Sequence, residues 1–508
     1  FPTRRSSDLD IETFKKNYDA QLNDIIISLN LAYNKAKHPT IKSLLIMMIN
    51  LSNGFTFNQL QKDMSSNISD KNKLDSLNLL LYKAVTNKNY DLVKNYEDQI
   101  HQSQRSINIL RSNSEQLKNF VAPQIQYYEF SNTGLRYYKE KLYLCVIQNE
   151  KDTIITSLDI QKESELYFEI KSHYTLRGKE DKFKIQTSYL YDKLIAPIWP
   201  YLQNYKTMTC KTWGIFSNIN LNTIAVNDKE ILSDKIYIRY QSGDKLESDQ
   251  FKPNISFAIG DIQYDLKENT NINVQRDSFL KFLNRSLINN SWSPLPNALE
   301  EVENISNVII KNKIKHTLLT NIEASEKNIK QLFSYKEGKK IIHFATHGFY
   351  FKNDQIKNVE SPNGFITSPN PLMRSGLILA GANYTWKFGV RPCEDCEDGI
   401  LTSYELMQYD LSDVELMVLS ACETGIGDLS ETEGVIGLQR ALRLAGVKRQ
   451  LVSLWQVPDF SSKELMILFY KNWLSKKQAP HIALANAQKM VRKNYPEPIH
   501  WAGWVLLE

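Results

Sequence analysis

From Ser293 to the end of the chain, short apolar runs alternate with stretches whose apolar residues recur three and four apart. The runs Ile341-Ile342-His343-Phe344-Ala345, Val414-Glu415-Leu416-Met417-Val418-Leu419, Gln450 to Leu454 and Trp504 to Leu507 have strand length. The stretches Ala298 to Lys311, Val435 to Leu444, Ser461 to Leu474 and Ile482 to Asn494 carry the helical period. Strands alternating with helices predict an α/β fold: a mostly parallel sheet flanked by helices on both faces.

Upstream the pattern differs. Residues 10–118 read as helical: Leu74, Leu77, Leu81 and Ala84 share one helix face, and Gly54 is the sole glycine there. This predicts a helical hairpin or the truncated end of a helical repeat array, with no clean 34-residue period. Beyond Val121, Gln124 to Phe130, Lys141 to Ile147 and Thr153 to Ile160 read as strands, with Ser131 to Gly134 as a turn. Residues 183–204 read as helical despite Pro197 and Pro200, and strand-like runs follow at Ile236 to Ile238 and Ile255 to Gly260. Asn353 to Gly399 is rich in Pro, Asn and Gly and is expected to be a long functional connection that gates the site.

Composition narrows the class. The chain has 508 residues, 42% hydrophobic and 23% charged, enough for a large core. A net charge of +5, with scattered lysines, does not point to direct nucleic-acid binding. No apolar run reaches the roughly 18–20 residues of a membrane span. Five cysteines (Cys145, Cys210, Cys393, Cys396 and Cys422) are too few and too odd for a disulfide framework, so a reducing, cytoplasmic setting is expected. The chain opens on Phe, as expected of a fragment or a processed product. Residues 1–9 resemble a translated adapter string and are set aside as an artefactual leader.

Candidate chemistry sits at two predicted strand ends. Cys422 follows the run ending at Leu419 and stands before Glu423-Thr424-Gly425; His347 follows the run ending at Ala345 and stands before Gly348. In open α/β sheets such ends carry ligands and reactive groups. A free thiol is often a small core residue, but core strands rarely break into a polar turn at the thiol. The pair therefore suggests a Cys–His hydrolase, with His347 as base, Cys422 as nucleophile, and the backbone N–H groups of Gly348 and Cys422 as an oxyanion hole. His343 reads as a buried, hydrogen-bonded neighbour. Glu423, Asp428, Glu431 and Glu433 are either a solvated loop or a pocket for a basic substrate side chain; Glu423, Asp428 and Glu433 are taken as candidate pocket residues. Metal readings are weaker. His343 and His347 have the spacing of a helical zinc pair but sit on a predicted strand, and Cys393-x-x-Cys396 is half a zinc site or a redox-sensitive pair.

The ordered motifs resemble the CHAT domain, a caspase-like, separase-related family of cysteine peptidases. His343-Phe344-Ala345-Thr346-His347-Gly348-Phe349 resembles its histidine motif, and Pro371 to Asn383 its central motif. Asp398 to Glu405, Glu433-Gly434, the Gly437 to Gly446 segment, Ser453 to Asp459 and Trp501 to Leu506 follow in family order. The resemblance runs from about Val121 to Glu508. It implies a non-catalytic half at 121–290 and a catalytic half at 291–508, after the helical region at 10–118. It also implies a Cys–His dyad of His347 and Cys422, endopeptidase activity on a protein or peptide substrate, no cofactor and no metal. Fusion to tetratricopeptide-type helices implies a regulatory protein partner bound through them. The segment between Trp213 and Asp228 departs from the family pattern. A catalytically silent, caspase-like scaffold is the alternative.

Overall fold

The structure is a computed structural model. It describes residues 123–131, 141–148, 153–160 and 189–265 apart from some loop positions, then 287–288 and 291–351. It further describes 368–420 without 369, 394 and 395, then 428–430 and 434–508, together with Ile26, Ile27, Asn30, Lys42, Leu45 and Ile49. The strands are β1 (Gln124–Ser131), β2 (Lys141–Gln148), β3 (Thr153–Ser157), β4 (Thr207–Thr212), β5 (Tyr237–Tyr240), β6 (Ile255–Ile262), β7 (Leu287–Ile288), β8 (Ser291–Trp292) and β9 (Lys315–Asn321). They continue as β10 (Lys340–Ala345), β11 (Gly348–Tyr350), β12 (Ser375–Ile378), β13 (Ile400–Thr402), β14 (Val414–Ser420), β15 (Asp428–Ser430), β16 (Gly434–Ile436), β17 (Gln450–Ser453) and β18 (Trp504–Leu507). The helices are α1 (Ala298–Lys311), α2 (Glu326–Ser334), α3 (Ala382–Phe388), α4 (Ser403–Leu406), α5 (Leu438–Leu444), α6 (Asp459–Tyr470) and α7 (Pro480–Asn494).

Eleven strands form one sheet in the order β3-β2-β1-β4-β5-β18-β17-β14-β10-β6-β9. Only the β1–β2, β2–β3 and β17–β18 pairings are antiparallel, so the α/β class and mostly parallel sheet expected from the sequence are present. β6 lies between β9 and β10, so strands from both sides of residue 290 share one sheet. Small residues let α1 close on it: Ala258 and Ala345 pack against Ala298 and Val302. A methyl group on Gly260 would meet Val302 Cγ1 at 2.7 Å, too close for any real contact.

The helical reading of residues 10–118 falls mostly outside the described residues. The described positions there are helical, and Ile26, Leu45 and Ile49 pack on Tyr128, Leu144 and Val146 of β1 and β2. Within 183–204, helix spans 189–195, and the chain breaks into turns and a 3₁₀ turn around the two prolines. The segment that departs from the family pattern is packed nonetheless. Asn220 is fully buried and donates to the carbonyls of Ala502 (2.8 Å) and Trp504 (3.0 Å), tying this segment to the end of the chain.

Three expectations need correction. The second half of Asn353–Gly399 is not one open connection, because β12 and α3 lie within it and β12 joins β11 and β13 in a second sheet. Residues 353–367 of that segment lie outside the described residues. The Val435 to Leu444 helix starts only at Leu438, since Val435 and Ile436 belong to β16. Cys393 and Cys396 form a disulfide, Cα atoms 5.1 Å apart, and so are not free thiolates for zinc.

Candidate active site

Parallel pairing of β10 with β14 fixes the centre of the site. In that register Ala345 lies opposite Ser420. His347 stands two residues beyond Ala345, and Cys422 stands two residues beyond Ser420 in the chain. Cys422, Glu423 and Glu433 lie outside the described residues. Asp428 is at the start of β15, its backbone paired with Ile436.

His347 is 4% exposed. Its ring packs between Trp292 (centroids 5.1 Å apart) and Tyr264 (5.3 Å). Nε2 lies 2.6 Å from the Ser293 carbonyl oxygen. A carbonyl can only accept, so Nε2 carries the hydrogen and Nδ1 keeps its lone pair. Burial pushes the imidazole down to about 4, against weaker upward pulls from the Ser293 carbonyl and Asp459. At neutral pH the ring is uncharged, the form a general base requires.

The Ser293 segment is held at both ends. Asn383 brackets the Trp292 peptide, its Oδ1 accepting from Trp292 N (2.7 Å) and its Nδ2 donating to Trp292 O (3.1 Å). At the other end, Asp459 Oδ2 accepts from the backbone N–H (2.8 Å) and side-chain amide (2.7 Å) of Asn297. Sequence reasoning found no third partner for the dyad. A backbone carbonyl has no residue signature, so only Trp292 and Asn383 carried any trace of it.

Gly348 opens β11. Ile378 N donates to the His347 carbonyl (2.9 Å), so residues 347 and 378 form a hydrogen-bonding pair. Gly348 pairs with Leu377 at the next, non-hydrogen-bonding position, where the backbone N–H points away from β12.

His343 has a different environment. It is fully buried, with Nε2 2.9 Å from Glu301 Oε1 and Nδ1 3.4 Å from the Tyr470 hydroxyl. The carboxylate can only accept, so His343 donates through Nε2 and accepts from Tyr470 at Nδ1. With both nitrogens occupied, His343 does not pair with His347 as a metal ligand. Elsewhere, Asp249, His481 and Glu508 bring three ligand atoms within 4.8 Å of one another. Arg239 pairs with both carboxylates and Arg449 lies beside Glu508, so guanidinium groups already supply the positive charge a metal would bring.

A charged cluster lies under β13. Lys330 of α2 contacts Glu326 (2.6 Å), Glu397 (3.1 Å) and Glu405 (3.2 Å). Burial and the Glu405 charge push buried Asp398 up to about 7. The folded state therefore binds this proton more tightly than the unfolded chain does. Stability from it is complete below the unfolded carboxyl range and is lost as pH rises toward 7. An Asp398→Asn protein is expected to match wild type near pH 4 and to be more stable at pH 8, by on the order of 1–3 kcal/mol. Thermal melts at the two pH values check this, and a lower Tm for the variant at pH 8 would contradict it.

An α/β sheet with a histidine and a cysteine segment at adjacent strand ends is one layout of a Cys–His hydrolase. The CHAT domain family model matches residues 186–507, and the chain belongs to that family. Tetratricopeptide repeat protein 28 from Homo sapiens is 29% identical over 230 residues, covering 42% of this chain and 8% of that protein. The protein of the same name from Mus musculus is 29% identical over 230 residues, covering 42% of this chain and 9% of its own length. The matched segment thus spans less than a tenth of either relative. The Arg-specific cysteine proteinase gingipain R aligns over 68% of this chain and 73% of its own, with 10% identity and a TM-score of 0.35. A complex of Porphyromonas gingivalis RgpB pro- and mature domains gives 11% identity, 68% and 74% coverage, and the same TM-score of 0.35. Among the described residues, no helix is long and apolar enough to cross a membrane.

Proposed function

We propose that this chain is a cysteine endopeptidase that hydrolyses peptide bonds in a protein substrate through His347 and Cys422. The observation that carries this reading is the Ala345–Ser420 register together with the His347 tautomer. His347 Nδ1 takes the proton of Cys422 Sγ. The thiolate attacks the scissile carbonyl carbon, and the backbone N–H groups of Gly348 and Cys422 bind the oxyanion. The carbon–nitrogen bond breaks as Nδ1–H protonates the leaving amine, and water then hydrolyses the thioester. Glu423, Asp428 and Glu433 form the pocket for a basic side chain on the substrate. The helices before residue 118 receive a regulatory protein partner; the packing of Ile26, Leu45 and Ile49 on β1 and β2 supports a route from that partner to the sheet.

A silent scaffold is the competing reading, favoured by the repeat-protein names of the relatives. The test is a thiol-directed peptidyl ketone with arginine or lysine next to the reactive group. One label per chain, mapped by peptide mass to Cys422 and blocked by excess peptide substrate, is expected. Labelling spread over several cysteines, with no fluorogenic peptide cleaved, would leave the scaffold reading.

A further inference from the structure

We infer that Asn383 is a positioning residue for His347, clamping the Trp292–Ser293 backbone so that the Ser293 carbonyl selects the imidazole tautomer. This rests on His347 being the base. Asn383 sits in the first turn of α3 and is 1% exposed. Its side chain makes both bonds to the Trp292 peptide and a third, from Nδ2 to Asp265 Oδ1 (2.9 Å). Its backbone N–H donates to the Tyr264 carbonyl (3.1 Å). One residue thereby holds the backbones of both rings that enclose His347, one of which, Trp292, directly precedes the hydrogen-bond acceptor Ser293.

The local fold leaves that work to Asn383. Trp292 ends a hairpin of two-residue strands, β7 and β8, which is too short to fix a backbone by itself. A side-chain amide that accepts from a peptide N–H and donates to the same residue's carbonyl acts as a strand neighbour would. Trp386, one turn along α3, adds an edge-on contact to Trp292 with centroids 5.0 Å apart. If the Ser293 carbonyl withdraws, Nε2–H loses its acceptor and the preference over Nδ1–H weakens. Part of the population then presents a protonated Nδ1, which cannot take a proton.

The test is imidazole ¹H–¹⁵N NMR on histidine-labelled full chain, with His347 assigned by His347→Gln. Wild type is expected to show an Nε2–H tautomer. Asn383→Ser is expected to show averaged tautomers and a titration midpoint lowered further, because the Ser293 carbonyl that favours the imidazolium withdraws. Its kcat is expected to fall about tenfold to a hundredfold with KM changed much less. Asp265→Ala, at a side chain that is 65% exposed, is the second variant and is expected to shift the spectrum in the same direction by less. An unmoved His347 spectrum in Asn383→Ser overturns the inference; if that variant does not fold, an unmoved spectrum in Asp265→Ala does. The spectrum is read without substrate. A shifted tautomer in a protein that cleaves no peptide thus sinks the peptidase reading and keeps the clamp.

Discussion

Replacing Cys422 with alanine is expected to lower kcat for peptide hydrolysis by a factor on the order of 10⁴ or more, with Tm nearly unchanged. In the proposed mechanism the thiolate forms the acyl-enzyme, and a methyl group cannot replace it. His347→Ala is expected to lose about as much, because a thiol in this site has no other named base. Nucleophile and base act as a unit, so the double variant should be no slower than either single one. Steady-state kinetics on the three proteins checks this, and additive losses would mean that the two residues do not share a step. The pH profile adds a sign. With His347 held near 4 by burial, the acid limb of kcat/KM in wild type should fall well below pH 6. His343 serves as the contrast. His343→Ala strands buried Glu301 and the Tyr470 hydroxyl, so it should cost stability rather than remove a reacting group.

Long amphipathic elements were legible in the sequence. The α1 boundaries are those its apolar spacing predicts, since that helix buries Val302, Ile305 and Ile309 along one stripe. β9 and α2 escaped notice. β9 is an edge strand with lysine and histidine at its start, and its partly exposed positions give no apolar run. β11, β12 and β13 are three or four residues long, too short to show a period, and the prolines and asparagines around them read as loop. Val435 and Ile436 fitted a helical stripe but are drawn into β16 by pairing with β15, which no local pattern encodes. At the candidate site, His347 and Cys422 stand out in the sequence as polar groups beyond apolar runs. The Ser293 carbonyl does not, because what matters there is a peptide oxygen placed by residues far away in the chain.

Gly376→Ala is expected to cost about 3–4 kcal/mol and to lower Tm by about 5–10 °C. Gly376 lies in the middle strand of the β11-β12-β13 sheet, paired with Phe349 on one side and Thr402 on the other. An added methyl would press on the Leu401 carbonyl oxygen, come within 2.9 Å of Thr402 Cα and lie 3.0 Å from Phe349 Cε1. Two of those atoms are β13 backbone, which cannot swing aside as a side chain can. β13 is itself pinned, because Thr402 and Glu405 cap α4 reciprocally. The strain must therefore be relieved by moving β12, whose other neighbour, β11, begins at Gly348 directly after His347. The variant should thus lose activity even below its lowered melting temperature, through displacement of His347 and of the Gly348 N–H. Melting curves and kcat measured at 20 °C separate the two effects. Unchanged Tm would mean that β12 and β13 are not packed this closely, and a destabilised protein with full kcat would mean that this small sheet does not position the base.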